Sequence, residues 1–577
     1  MLLKTNFYLM KTRFSFVATL FLIISSLIEV SSQSLAFPTA EGFGKFASGG
    51  RGGKVVFVDN LNDYGSAESE VPGSFRWALK QYPGEPLTVI FRVSGTINLK
   101  GEPGSTSNKN DIRCSRANLT IAGQTAPGEG ITFRGAKLNF GGSNNLIIRN
   151  IRSRIGLKDD GSTIYGAALG IENATNWIID HCCFGWSVEE NMTIYDNKYT
   201  TIQNSIIHEG LYEGGHMKGN RSYAAQWGGQ SATFYKNLLA HHRTRTPRFN
   251  GARGSNDTKV FIEYTNNVNY NWIEQGGCYG SEIAAGIIRY NNTNFINNYY
   301  KPGPSTIGKI FTYVMKISTT NWPKFYINGN IYHNDTASLN NQWKYVLHGS
   351  FLLDSIKSDK LIYDSRFDYD KYRVVKVSPA EQAYLEVLAD VGTIHRDTIE
   401  RRIIREVTNG VTTFNGILKP GIIDSPWNAE GYPEYILANS PNDLDNDGIA
   451  DEWEISKGLN PADSEDRNKI TLSGYTALEV YLNSLMGENI ELKFNTAVDY
   501  ISIKPKMDMV QIRNIITINS VSEIKELKIF DVDGRKMDMY KKIQRNIIDV
   551  ACLKNGIYLI SAISKDEEKA SFKFLRK

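Results

Sequence analysis

The chain is 577 residues long, beyond one ordinary domain, so a large central body with smaller appended pieces is expected. Its formal charge is only +4 and its charges are interspersed, which excludes a nucleic-acid binder driven by a global basic field; a polyanion must be met by a local patch. Gly (50) and Tyr (30) are abundant beside 17 Pro and 41% apolar residues, a composition that asks for many tight turns between short strands.

At the N-terminus Lys4, Lys11 and Arg13 precede an apolar run from Phe14 to Ile28, followed by Glu29 and a Ser-rich stretch. That run is shorter than the roughly 20 residues of a spanning helix, so residues 1–33 read as a secretory signal peptide cleaved between Ser31 and Ser34, leaving no membrane span in the mature chain. Next, Pro72 to Gln81 (PGSFRWALKQ) reads as an amphipathic helix with Ser74 at its N-cap, suited to covering the open end of a strand stack.

From about residue 117 to 330, short β-rich segments recur and end in Asn or Gly, among them NLTIAG (from Asn118), NLIIRN (Asn145), NWIIDH (Asn176), ATFYKN (Ala232) and FYINGN (Phe325). Most starts lie roughly 23 to 32 residues apart, the length of one solenoid coil and too long for the hairpin turns of a β-sandwich. A coil cannot bury its own apolar stripe, so the coils must stack: the fold class expected is all-β, a right-handed parallel β-helix over residues 34–435. Asn recurring at one place in successive coils suits a left-handed bend and an internal amide ladder. Cys182 and Cys183 are adjacent on a strand and point to opposite faces, so packing explains them better than metal ligation.

Chemistry-bearing residues concentrate on these coils. HHRTRTPRFNG (His241 to Gly251) carries Arg243, Arg245 and Arg248, Lys218 lies a coil earlier, and Trp186, Trp227 and Trp272 flank them. Residues one repeat apart sit one above another, so these cations can line one outer groove that suits a repeating carboxylate polymer, with aromatic faces for sugar rings. Asp180, Glu189 and Glu190, opposite the arginines, suggest a hard cation bridging protein and substrate oxygens. His181 and His208 read as buried, hydrogen-bonded residues of the coil.

Residues 443 to 454 (DLDNDGIADEWE) place Asp443, Asp445, Asp447, Asp451 and Glu454 at the first, third, fifth, ninth and twelfth positions of a calcium loop, with Gly448 at its sharp turn. Residues 436–489 are therefore expected to be a helical extension stapled by calcium. Beyond about residue 490, strand-like runs such as NGIYLISAI (Asn555 to Ile563) indicate a small C-terminal β-sandwich over 490–577.

Two resemblances follow from these elements. FPTAEGFGKFASGGRGGKVVFV (Phe37 to Val58), SFRWAL (Ser74 to Leu79), WIIDHC (Trp177 to Cys182), GGHMKG (Gly214 to Gly219) and RTPRFNG (Arg245 to Gly251) together resemble the pectate lyases of polysaccharide lyase family 1, over roughly residues 37 to 485. LKNGIYLI (Leu553 to Ile560) and its surroundings resemble the C-terminal sorting domain of the type IX secretion system, which implies an export machinery as partner and a secreted or cell-surface location.

The first resemblance implies calcium-assisted β-elimination of polygalacturonate. Calcium would hold the galacturonate carboxylate, Arg245 would remove the C5 proton, Lys218 would hold a substrate carboxylate and Arg248 would flank the base. Arg243, Trp227 and Asn250 are the expected substrate contacts; Glu189, Glu190 and Asp180 are the expected calcium ligands. A monomer is expected. Two departures stand out: Ala167 occupies a place where the family shows an acidic residue, with Asp159 and Asp160 nearby as substitutes, and Asn250 stands where many relatives carry an arginine. A β-helical polygalacturonase would need two or three clustered acids to position water, and no such cluster is visible. A non-catalytic pectin-binding β-helix at the cell surface is the rival from another class.

Overall fold

The computed structural model describes residues 34–101, 111–250, 259–274, 278–280, 290–314, 324–348, 363–369, 375–494 and most of 507–576. The signal-peptide reading of residues 1–33 lies outside them. Two compact units are present, residues 1–492 and 493–577.

The first unit is the expected parallel β-helix. Its strands stack into a ten-stranded sheet beginning at Lys54–Val58 and two nine-stranded sheets, and every strand pair in all three is parallel. We call these the first, second and third sheets, in the order in which the chain visits them within a coil. A typical coil runs Thr175–Asp180, Cys183–Gly185 and Glu190–Tyr195, one strand in each sheet. Inward residues form one continuous core, including Ile121, Leu146, Ile148, Trp177, Ile194 and Phe234.

The corner between the first and second sheets explains the recurring asparagines. One residue there takes a left-handed φ in coil after coil: Asn150 (58°), His181 (50°), Asn204 (48°), Lys236 (52°), Asn266 (58°), Asn297 (49°) and Gly329 (68°). Asn and Gly adopt this conformation at the least cost. The residue after it points inward, and Asn237, Asn267, Asn298 and Asn330 form an amide ladder. The side-chain amide of each donates to the next Oδ1 at 2.9–3.1 Å, and Gln342 ends the series. Doublets such as Asn266-Asn267 thus do two jobs with two residues. Asn267→Leu removes an acceptor from Asn237 and a donor from the Phe234 carbonyl, both buried. It should destabilise the unit by on the order of 3 kcal/mol in denaturant unfolding, and a loss under about 0.5 kcal/mol would show the ladder to be dispensable.

Helix α1 is shorter than the sequence suggests, Phe75–Ala78 with Ser74 as N-cap. Tyr82, at a φ of 46°, and Pro83 turn the chain away, yet Phe75 still lies on Phe91 and Phe133 at the end of the core. Cys182 and Cys183 pack into different apolar clusters, as their alternation requires. Helices α2 (Ala380–Asp390) and α3 (Thr398–Asn409) cover the second sheet, where Val387, Ile399 and Ile403 meet Ile206, Leu238 and Val268. Helices α4 (Asp451–Lys457) and α5 (Ala477–Ser484) follow the acidic loop. The second unit is a small β-sandwich: a four-stranded and a three-stranded antiparallel sheet enclose Ile516, Ile518, Ile529, Ile548 and Ile560.

Candidate active-site groove and an acidic cage

The outward face of the third sheet carries the groove. Parallel register brings Arg248, Gln226, Thr193, Gly170, Asn139 and Arg113 side by side from coil to coil. At about 4.8 Å per strand this row runs about 24 Å along the helix axis, long enough for several sugar units. Over it lies an open groove lined by six cations (Arg113, Lys137, Lys218, Arg221, Arg245, Arg248) and four carboxylates (Asp111, Glu172, Glu189, Glu190). The local excess of positive charge is the patch that the small net charge required.

Arg245 sits in a turn at a φ of 59°, a conformation that a non-glycine residue holds only when its surroundings enforce it. Its guanidinium lies 4.2 Å over the Tyr223 ring and forms an ion pair with Glu190. Glu189 bonds His216 Nε2 at 2.8 Å, and His216 Nδ1 accepts the Lys218 backbone N–H at 3.0 Å, so one imidazole ties the acidic coil to the loop that presents Lys218. The structure thus brings Lys218, Arg245, Arg248, Glu189 and Glu190 into one groove.

Other expected members are elsewhere. Trp227 is fully buried and stacks on Phe234 at 4.5 Å, because the alternation that turns Gln226 outward turns Trp227 into the core. Trp186 and Trp272 are also fully buried, so none of the three offers a face to a sugar. Asp180 is on the first sheet, where it binds Arg149, His181, Gln203 and Asn204; it cannot share a cation with Glu189 and Glu190. Arg243 turns to Glu274 at 2.6 Å and does not line the groove. Asp159 pairs with Arg134 away from the groove, Ala167 is buried, and it is Gly166 that reaches the lining. The backbone of Asn250 extends the strand from Arg248, and its side chain lies outside the described atoms. His181 and His208 are buried and hydrogen-bonded, as expected, to Asp180 and Glu209; burial pushes His208 down, whereas at His181 burial opposes the charge but Asp180 and Asp390 hold it up at about 9.

Lys137 was missed. A methyl group on Gly170 would overlap its Cε and Nζ, so the bare glycine lets this ammonium lie across the neighbouring strand, inside the groove. The available signal was a glycine one coil above a lysine.

The acidic loop forms a separate cage. Ligand atoms of Asp443, Asp445 and Asp447 lie within 4.8 Å of one another, and so do those of Asp447, Glu454 and Asp466. Asp451 is absent from both groups, and its Oδ1 instead accepts the Leu444 backbone N–H at 2.8 Å. Burial and neighbouring carboxylates push Asp447 up to about 8 and Glu454 up to about 7.

Residues 505–576 match the family described as a secretion system C-terminal sorting domain. A probable pectate lyase C from Aspergillus flavus is 34% identical over 470 residues, 80% of this chain and 96% of its own length. The probable pectate lyase C of Emericella nidulans is 31% identical over 79% of this chain and 93% of its own. Among solved structures, the major allergen jun a 1 of cedar pollen aligns at a TM-score of 0.43 and 16% identity, over 62% of this chain and 93% of its own. Given curated relatives matched along nearly their whole length, the chain belongs to the pectate lyase family, is a polysaccharide lyase, and ends in a sorting domain that directs it outside the cell or to its surface.

Proposed function

We propose that the chain cleaves polygalacturonate by calcium-assisted β-elimination in the groove of the third sheet. The observation that carries this reading is the guanidinium of Arg245, fixed on Tyr223 and by Glu190 in a groove that also holds Lys218 and Arg248. Arg245 takes the C5 proton of a galacturonate unit. The C5–H electrons form the C4–C5 double bond, and the C4–O bond breaks with its electron pair on the leaving glycosidic oxygen, which acquires a proton from water. Lys218 and Arg248 bind the carboxylate next to C5 and stabilise the charge that develops on it. A guanidine acts as a base only where other cations make loss of its proton less costly; the Glu190 ion pair favours the protonated form, and Lys137, Lys218, Arg221 and Arg248 along the same groove work against it.

Calcium fits this groove through Glu189 and Glu190. One Glu189 oxygen is bonded to His216 and one Glu190 oxygen to Arg245, so substrate and water would supply most of the six to eight oxygens that calcium takes. The ion supplies charge neutralisation at the substrate carboxylate. Lys137, where the chain lacks the acid replaced by Ala167, binds a further carboxylate along the polymer.

Catalysis falls within residues 34–435, residues 436–489 brace that domain, and residues 490–577 are read by the export machinery. Purified protein given polygalacturonate should generate an ultraviolet-absorbing unsaturated product, at a rate reduced by chelator. Binding without such a product at any calcium level or alkaline pH would establish a pectin-binding protein instead. Lys137→Ala should raise KM about tenfold with kcat little changed, the signature of a lost ground-state contact. An unchanged KM would remove Lys137 from the polymer path.

A further inference from the structure

Five carboxylates meet at the first coils of the β-helix, far more charge than such a place tolerates uncompensated. Asp447, Glu454 and Asp466 are fully buried. Both Asp445 oxygens, Asp447 Oδ2, both Glu454 oxygens and Asp466 Oδ1 have no hydrogen-bond partner. Buried charged oxygens without partners cost several kcal/mol each unless a cation faces them. The remaining oxygens are committed to holding the shape: Asp443 accepts from the backbone N–H groups of Asp447 and Gly448, Asp447 Oδ1 from Ile449, and Asp466 Oδ2 from Asn460. The unpartnered atoms are therefore aimed by their neighbours into one small volume.

The cage is also anchored. Arg92 stacks on Phe57 at 3.5 Å and bonds Asp443 and Asn446, linking the loop to the first two strands of the ten-stranded sheet. Gly448, at a φ of 95°, lets the loop press on Val55, Ile90 and Leu478. An all-oxygen, carboxylate-rich set with a glycine turn suits calcium; magnesium would keep several waters, and zinc prefers nitrogen or sulfur.

We propose that Asp443, Asp445, Asp447, Glu454 and Asp466 form a calcium centre separate from the groove, in which Asp466, from outside the twelve-residue loop, takes the place that the loop pattern assigns to Asp451. Its role is to fasten residues 440–485 across the exposed first strands of the sheet, where the stack would otherwise end on an open edge.

The test uses metal-stripped full-length protein without substrate, titrated with calcium chloride in a calorimeter and melted with and without the ion. The parent should bind calcium and melt several degrees higher with it. Asp466→Asn and Glu454→Gln should weaken this binding by at least about tenfold and lose the shift, while Asp451→Asn retains both. The amide variants keep side-chain size and relieve repulsion, so in the stripped state they should melt no lower than the parent. Absence of calcium binding by the parent, or an Asp466→Asn protein that binds as the parent does while Asp451→Asn fails, would overturn the proposal.

Discussion

Replacing Arg245 with alanine should lower kcat on polygalacturonate by about a thousandfold, the scale of a missing general base, while KM moves little. KM is preserved because Lys137, Lys218, Arg221 and Arg248 remain to meet the polymer's carboxylates. The fold is preserved because Arg245 sits on the surface of the sheet and its ring partner, Tyr223, is held by its own strand. Glu190 loses an ion pair but stays within the same cation-rich lining, so it is not stranded. Arg245→Lys keeps the positive charge and loses the planar fork, and should fall between the two. An alanine variant as active as the parent would take Arg245 out of the role of base, and a variant with raised KM and intact kcat would make it a binding residue.

The largest effect on stability should come from Arg154. This residue is fully buried, and its guanidinium meets Asp397, with Nη2 to Oδ1 at 3.1 Å, while Nε faces His208 at 3.2 Å. Asp397 is at once its counterion and the N-cap of α3, where it accepts from the backbone of Ile399 and Glu400. Burial works against the Asp397 charge, but Arg154 and Arg152 hold its carboxyl well below the usual range. Arg154→Met leaves that carboxylate buried with one guanidinium fewer and should cost about 3–5 kcal/mol, read from the shift in urea midpoint. A carboxylate with a depressed folded pKa stabilises above its ordinary range and loses that contribution as pH falls below it, so the gap between parent and variant should narrow in acid. Arg154→Met combined with Asp397→Asn should recover part of the loss, because the stranded charge is gone. A single variant within about 0.5 kcal/mol of the parent would show that the network adds nothing to folding.

How far the sequence could be read depends on which physical constraint each residue obeys. Coil length and the Asn-Asn doublets are set by backbone geometry, which repeats, so the β-helix and its amide ladder could be inferred before any coordinates. Arg245, Arg248 and Lys218 could be grouped because stacking aligns residues one coil apart. Facing could not be inferred for Trp227: in YAAQWG the alternation is masked by two successive alanines, and each corner resets its phase. Asp180 was misplaced for a related reason, since spacing identifies a residue's coil but not which of three sheets carries it. The partner of Arg243, Glu274, lies a coil further on at a turn, where no repeat marks it. In the acidic loop the twelve-residue pattern found four of the five caging carboxylates, and Asp466 escaped because a ligand from outside the loop has no fixed spacing.

The proposed chemistry rests on loss of a proton and a glycosidic oxygen from neighbouring carbons, with no water added across the broken bond. Mass spectrometry of the oligomers released from polygalacturonate decides this directly. Elimination predicts that each newly formed non-reducing end is lighter than an ordinary galacturonate terminus by one water. New non-reducing ends at full mass would show a hydrolase and remove Arg245 from its proposed role.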